Sequence, residues 1–138
     1  MEELTYCCID TEEENYDRFC EVYKEEICTP DGFCVVCINP RERAKHICGG
    51  AEKKFQKDRA RRLGWPKYIL LNPDERKVLR DTSTGYIIFF FERKKIAYAV
   101  ICHPLSNGKL NLISGFIVGG KRRIDYSNGK PPYEFYRN

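Results

Sequence analysis

No stretch of this chain approaches the roughly 20 consecutive apolar residues that a membrane-spanning helix needs, so no bilayer span is expected. The sequence does not repeat itself, has no low-complexity tract and shows no linker-like break, which argues against a solenoid or a string of domains. The opening residues Met1 to Cys8 lack the basic start and long apolar run of a secretory signal, so the chain is expected to stay in the reducing cytoplasm. In that compartment its 8 cysteines read as thiols or metal ligands and not as a disulfide net. With 42% apolar and 13% aromatic residues, disorder is excluded as well.

What is present is enough for one core: 138 residues can bury it with no strict need for a metal or a disulfide. The net charge of +4 is modest, but its distribution is uneven. Met1 to Glu26 is mostly acidic, whereas Arg41 to Lys67 and Lys121 to Lys130 are basic. Two separated basic segments point to an anionic partner, although either alone also reads as a solvated surface.

From Glu12 to Ile27, Tyr16, Phe19, Cys20, Tyr23 and Ile27 recur at steps of three and four, which predicts a helix with one buried stripe. Asp10 or Thr11 can cap it, with Glu12 to Glu14 favourably placed at the positive end of its dipole. Thr29-Pro30-Asp31-Gly32 stops it. Asn39-Pro40 predicts a second helix start, closed near Cys48-Gly49-Gly50, and a further helical pattern runs from Ala51 to Leu63 before Gly64. A short turn opened by Pro66 ends at Asn72-Pro73.

The chain then turns to sheet. After a charged crossing from Asp74 to Asp81, three runs rich in β-branched and aromatic residues follow, Tyr86 to Phe91, Ile96 to His103 and Leu110 to Val118. Glu92 to Lys95 and Ser106-Asn107-Gly108 supply the turns of an antiparallel meander. The aromatic tail after Gly120 is expected to lie over a sheet edge. The division is therefore a helical, cysteine-rich segment over 1–64 and a sheet module over 65–138, packed as one unit.

Two sets of side chains could carry chemistry. Cys34-x-x-Cys37 has the spacing of a zinc knuckle, and His46 and Cys48 could complete a tetrahedral structural Zn²⁺ site, with Cys28 or Cys20 as substitute fourth ligand; buried thiols are the competing reading. Metal-free RNA cleavage needs proton-transfer groups and cations around a charged phosphorane. For that, the chain offers Arg76, Arg80, Arg93, Lys94, Lys95, His103, Ser114 and the cluster Lys121-Arg122-Arg123, with His103 and Ser114 reading equally as structural residues.

The order Arg59-Ala60-Arg61-Arg62-Leu63-Gly64-Trp65, Ile69 to Pro73, Tyr86 to Phe91 and Leu112-Ile113-Ser114-Gly115-Phe116 resembles the phage-type Barnase-EndoU-colicin-RelE nuclease families, over roughly the C-terminal two thirds and including His46-Ile47. The resemblance implies an α+β fold, N-terminal helices packed on a C-terminal four-stranded antiparallel sheet. It further implies a toxin-like, metal-independent endoribonuclease that cleaves by attack of the 2′-hydroxyl, with an inhibitor or antitoxin protein as a second partner. The families' polar sheet positions fall near Arg93 or Lys95, His103 and Ser114, with Arg76 on the crossing. His103 would move protons, the arginines and Lys95 would hold phosphate, and Ser114 would donate to it. His46-x-Cys48 departs from an ordinary paired zinc ribbon. Two rival expectations stand beside this one: a non-catalytic, zinc-containing nucleic-acid-binding module of a viral or mobile-element system, and a protein-interaction module docking through the first helix.

Overall fold

The computed structural model describes residues 4–7, 11–49 and 54–137. Helix α1, Glu12–Val22, starts where the sequence predicts: the Thr11 hydroxyl accepts a hydrogen bond from the Glu14 N–H, and Glu12 to Glu14 fill the first turn. It buries Tyr16 and Phe19 and ends at its C-cap Tyr23, also buried. The predicted continuation to Ile27 does not occur. Instead Ile27–Cys28 forms strand β1, which turns at Gly32 with φ +99° and pairs with β2, Cys34–Val36.

Helix α2, Pro40–Gly49, follows Asn39, which takes φ 54° and not the extended conformation expected of an N-cap. Of the predicted Ala51 to Leu63 helix, the described residues form only α3, Lys57–Arg61. Gly49 explains part of the break, because a Cβ there would lie 2.8 Å from the Lys54 backbone nitrogen, so the chain folds back tightly on the end of α2. Helix α4, Trp65–Leu71, leads through a single 3₁₀ turn at Pro73–Glu75 into β3, Arg76–Asp81, then β4, Ile87–Glu92, β5, Ala97–Pro104, and β6, Leu110–Ile117. Helix α5, Gly120–Asn128, and β7, Tyr133–Phe135, complete the order.

The architecture is α+β, but the sheet has seven strands among the described residues, in the order β1-β2-β6-β5-β4-β3-β7, not the four expected. Four strands join the three predicted runs. The charged crossing is itself a strand, because Leu79 and the stem of Arg76 are buried between neighbours and supply the apolar face that the charged letters conceal. The aromatic tail does reach a sheet edge, pairing as β7 with β3. The β1–β2 ribbon joins from the other side, β2 running parallel to β6 through Val35↔Leu110 and Val36↔Asn111.

Strand β4 is buried on both faces, with Ile87 to Phe91 all in the interior. Its odd-numbered residues Ile87, Phe89 and Phe91 pack with Val100, Tyr98 and Leu112 against Phe19, Tyr23, Ile47, Trp65 and Ile69 of the helices. Ile88 and Phe90 face the other way, with Leu79, Ala97 and Ala99, under Tyr126 of α5. The helices are thus not all N-terminal: α5 covers the second face. Full burial of each such aromatic or aliphatic side chain contributes about 1.5–3 kcal/mol, which makes this two-faced strand the centre of the stability.

Candidate nucleic-acid interface

Where β2 ends, β6 continues. Beyond Asn111 its outer edge is flanked by α2 and α3, and a bulge leaves Ile113 between the pairs Ile101↔Ser114 and Cys102↔Leu112. The Ile113 carbonyl accepts a hydrogen bond from Arg43 Nη1 at 3.2 Å, which fixes α2 beside the strand. The start of α3 is tied to the end of α2 by the Gln56 N–H donating to the Cys48 carbonyl at 2.9 Å, and α3 is tied to α1 by Asn15 Nδ2 donating to the Ala60 carbonyl at 3.3 Å.

This scaffold sets Arg59 and Arg62, one turn apart, over the end of β6. Between them and the sheet lies a cavity of about 60 Å³ lined by Ile47, Arg59, Arg62, Tyr98, Gly115, Phe116 and Ile117. At about 10–15 Å³ for a water it has room for roughly four waters, on the order of one tetrahedral oxyanion, and none for a base. The guanidinium of Arg62 sits 5.7 Å from the Trp65 ring centroid, and Trp65 meets Tyr98 edge-on at 5.3 Å. Burial pushes the Tyr98 phenol well above the usual tyrosine range; Arg62 and then Arg59 oppose that shift, and Cys48 adds to it. The phenol therefore stays protonated, with two cations close enough to act on it. On the opposite face of the same strand, Arg122 lies 5.7 Å from the centroid of the Phe116 ring, so cations approach the β6 edge from both sides.

The five residues expected to cleave RNA do not converge here. Arg76 is a structural anchor: its guanidinium is buried, binds both oxygens of Asp31 at 2.8 Å, donates to the carbonyls of Ile69 and Leu70, and stacks 4.7 Å from the Phe89 centroid. Arg93 pairs with Glu75 at 3.0 Å in the β4–β5 turn, where Lys95 is exposed. His103 is at the other end of β5, its ring 5.3 Å from Tyr86; the six steps from Ala97 span about 20 Å. Ser114 pairs with Ile101 and so shares the His103 side of the sheet. That side is filled across β3, β4 and the start of β5 by apolar residues under α5, so the expected polar positions share no common surface there.

The expected zinc set is also dispersed. Strand alternation sends Val35 and Cys37 toward the core and Cys34 to the other side, so the two knuckle thiols point apart. Cys48 is fully buried, and burial pushes its thiol up to about 11. His46 lies half-buried on α2 beside Ile47. What the fold does assemble is the substitute ligand: Cys28 and Cys34 face each other across the ribbon with Glu26 beside them, all three ligand atoms within 4.8 Å.

Comparison with family models, with curated proteins and with solved structures finds no match for this chain. Sequence reasoning missed Arg59, Arg62 and Tyr98 as one site. The usable clue was Gly115, since a glycine inside a strand marks a close approach by another group, here the Tyr98 hydroxyl. No helix among the described residues is long and apolar enough to cross a membrane.

Proposed function

We propose that the protein is a metal-independent endoribonuclease whose scissile phosphate sits at the β6 edge and not on the face of the sheet. The convergence of Arg59, Arg62 and the Tyr98 hydroxyl on an oxyanion-sized cavity carries this reading. In it the 2′-hydroxyl attacks the adjacent phosphorus, the two guanidiniums neutralise the phosphorane, and the protonated phenol donates to a non-bridging oxygen. A phenol held so far above neutrality cannot serve as base. His46, adjacent to a wall residue and one turn from Arg43, takes the 2′-hydroxyl proton in this scheme. The P–O5′ bond breaks as solvent water protonates the departing 5′-oxygen, and the proton taken up by His46 passes to solvent, leaving a 2′,3′-cyclic phosphate and a free 5′-hydroxyl. A protein inhibitor would have to cover the same cations.

The dispersal of Arg76, Arg93, Lys95, His103 and Ser114 favours a second reading, a non-catalytic nucleic-acid-binding module using the same edge. Arg59 and Arg62 would then hold backbone phosphates, and Phe116 with Arg122 would offer a stacking surface. Incubation of the purified protein with total RNA in EDTA separates the two. Cleavage to cyclic phosphate ends, reduced on the order of a hundredfold in Tyr98→Phe, supports the enzyme. Salt-sensitive binding of RNA that stays intact supports the module, and absence of both removes the cleft from function.

A further inference from the structure

We infer that the β1–β2 ribbon binds one Zn²⁺ ion through Cys28 Sγ, Cys34 Sγ and a carboxylate oxygen of Glu26, with water in the fourth position. The proposal stands apart from the RNA reading. Its ground is geometric. The two sulfurs belong to directly opposed residues and are 3.6 Å apart. Two thiolates each about 2.3 Å from a tetrahedral zinc ion stand about 3.8 Å from one another, so the ribbon already holds the bite of that ion. A disulfide would require the sulfurs to close to about 2.05 Å.

The surroundings suit a ligand set. Lys109 Nζ donates to Glu26 Oε2 at 3.1 Å, the kind of outer hydrogen bond that orients a metal-bound carboxylate. Cys28 and Glu26 are exposed, so an ion can enter, and two sulfurs with one oxygen select a borderline-soft cation over Mg²⁺ or Ca²⁺. Three protein ligands leave the ion exchangeable, unlike the closed four-ligand site expected from Cys34, Cys37, His46 and Cys48. The turn between the two cysteines carries Asp31, the partner of the buried Arg76, so an ion fixing the ribbon also fixes that clamp.

The test is a titration of the full reduced chain with Zn²⁺ against a chromogenic chelator, repeated with Co²⁺. The expected result is one equivalent bound, a thiolate-to-cobalt charge-transfer band and a raised Tm. Cys28→Ser and Cys34→Ser lose all three while keeping the far-ultraviolet circular dichroism of the parent, and Glu26→Gln weakens binding at least tenfold. Three results would overturn the proposal: a folded, reduced chain that takes up no metal, an equivalent bound equally well by Cys28→Ser, or a Cys28–Cys34 disulfide as the stable form with equimolar Zn²⁺ present.

Discussion

The hydroxyl of Tyr98 stands where a side chain at position 115 would begin. A Cβ on Gly115 would lie 2.6 Å from that oxygen and 3.2 Å from Pro66 Cγ, so only glycine lets β6 pass so close to the phenol. Gly115→Ala is expected to displace the ring, close the cavity and cost about 1–3 kcal/mol of stability by overpacking. In a Tyr98→Phe background the clash with the hydroxyl is gone, so the same change should cost less. Denaturant melts of the four proteins measure the coupling directly, and strict additivity would refute the contact.

Arg76 and Asp31 make a different prediction. Arg76→Ala leaves Asp31 and two buried carbonyls without their donor and should cost about 3–5 kcal/mol, with RNA binding intact in whatever fraction stays folded. A phosphate-holding role would give the reverse, normal stability with weakened binding.

The same pair shapes the acid limb of the stability curve. Hydrogen bonds from Arg76 hold the Asp31 carboxyl below its ordinary value of 3.8, and its burial opposes this only in part. A carboxyl depressed in the folded state contributes stability above the unfolded value and loses it as pH falls through the lower folded one. Urea midpoints measured from neutral pH down past pH 4 should therefore fall more steeply for the parent than for Asp31→Asn.

The two histidines separate the two placements of the chemistry. His46→Ala is expected to abolish cleavage of a defined RNA, while His103→Ala, changed on the other face of the sheet beside Tyr86, keeps it. Product ends read by gel decide between them, and the opposite pattern would return the site to the sheet face.

Binding should weaken with salt in proportion to the phosphates the protein neutralises. Removing one cation from a phosphate lowers the log–log salt slope by roughly 0.7 for a single strand, so Arg59→Ala with Arg62→Ala should reduce it by roughly 1.4. Lys109→Ala, in the β5–β6 turn at the opposite end of β5 from Tyr98, should leave the slope unchanged, and an equal effect of both would show that the charge acts without a defined site.

The sequence made the central strands legible because Tyr86 to Phe91 and Ile96 to His103 carry little but strand-forming side chains. It hid β3 because strand identity there comes from neighbours: Arg76 reads as a surface charge until Asp31, 45 positions earlier, is folded onto it. It hid α5 for a similar reason, since Tyr126 is the one residue of that helix that is buried. The cysteines misled through periodicity. A knuckle needs a turn between its thiols, whereas the chain from Cys34 is extended and alternates sides, while the pair that does meet depends on the register of β1 against β2. The cleft was the least legible part, for Arg59, Tyr98 and Gly115 come from three elements that only the completed sheet brings together.

The parallel join of β2 to β6 has a consequence for the birth of the molecule. A ribosome releases residues 34–36 long before residues 110–117, so the early ribbon must wait, with its edge bare, for a strand not yet made. The nascent N-terminal half carries apolar surface from Phe19, Tyr23 and Val35 that its own helices cover only in part until β4 and β6 emerge. Assembly is then a late event, and chaperones that shield such surface during translation should raise the yield of native chains more than any agent added after synthesis ends.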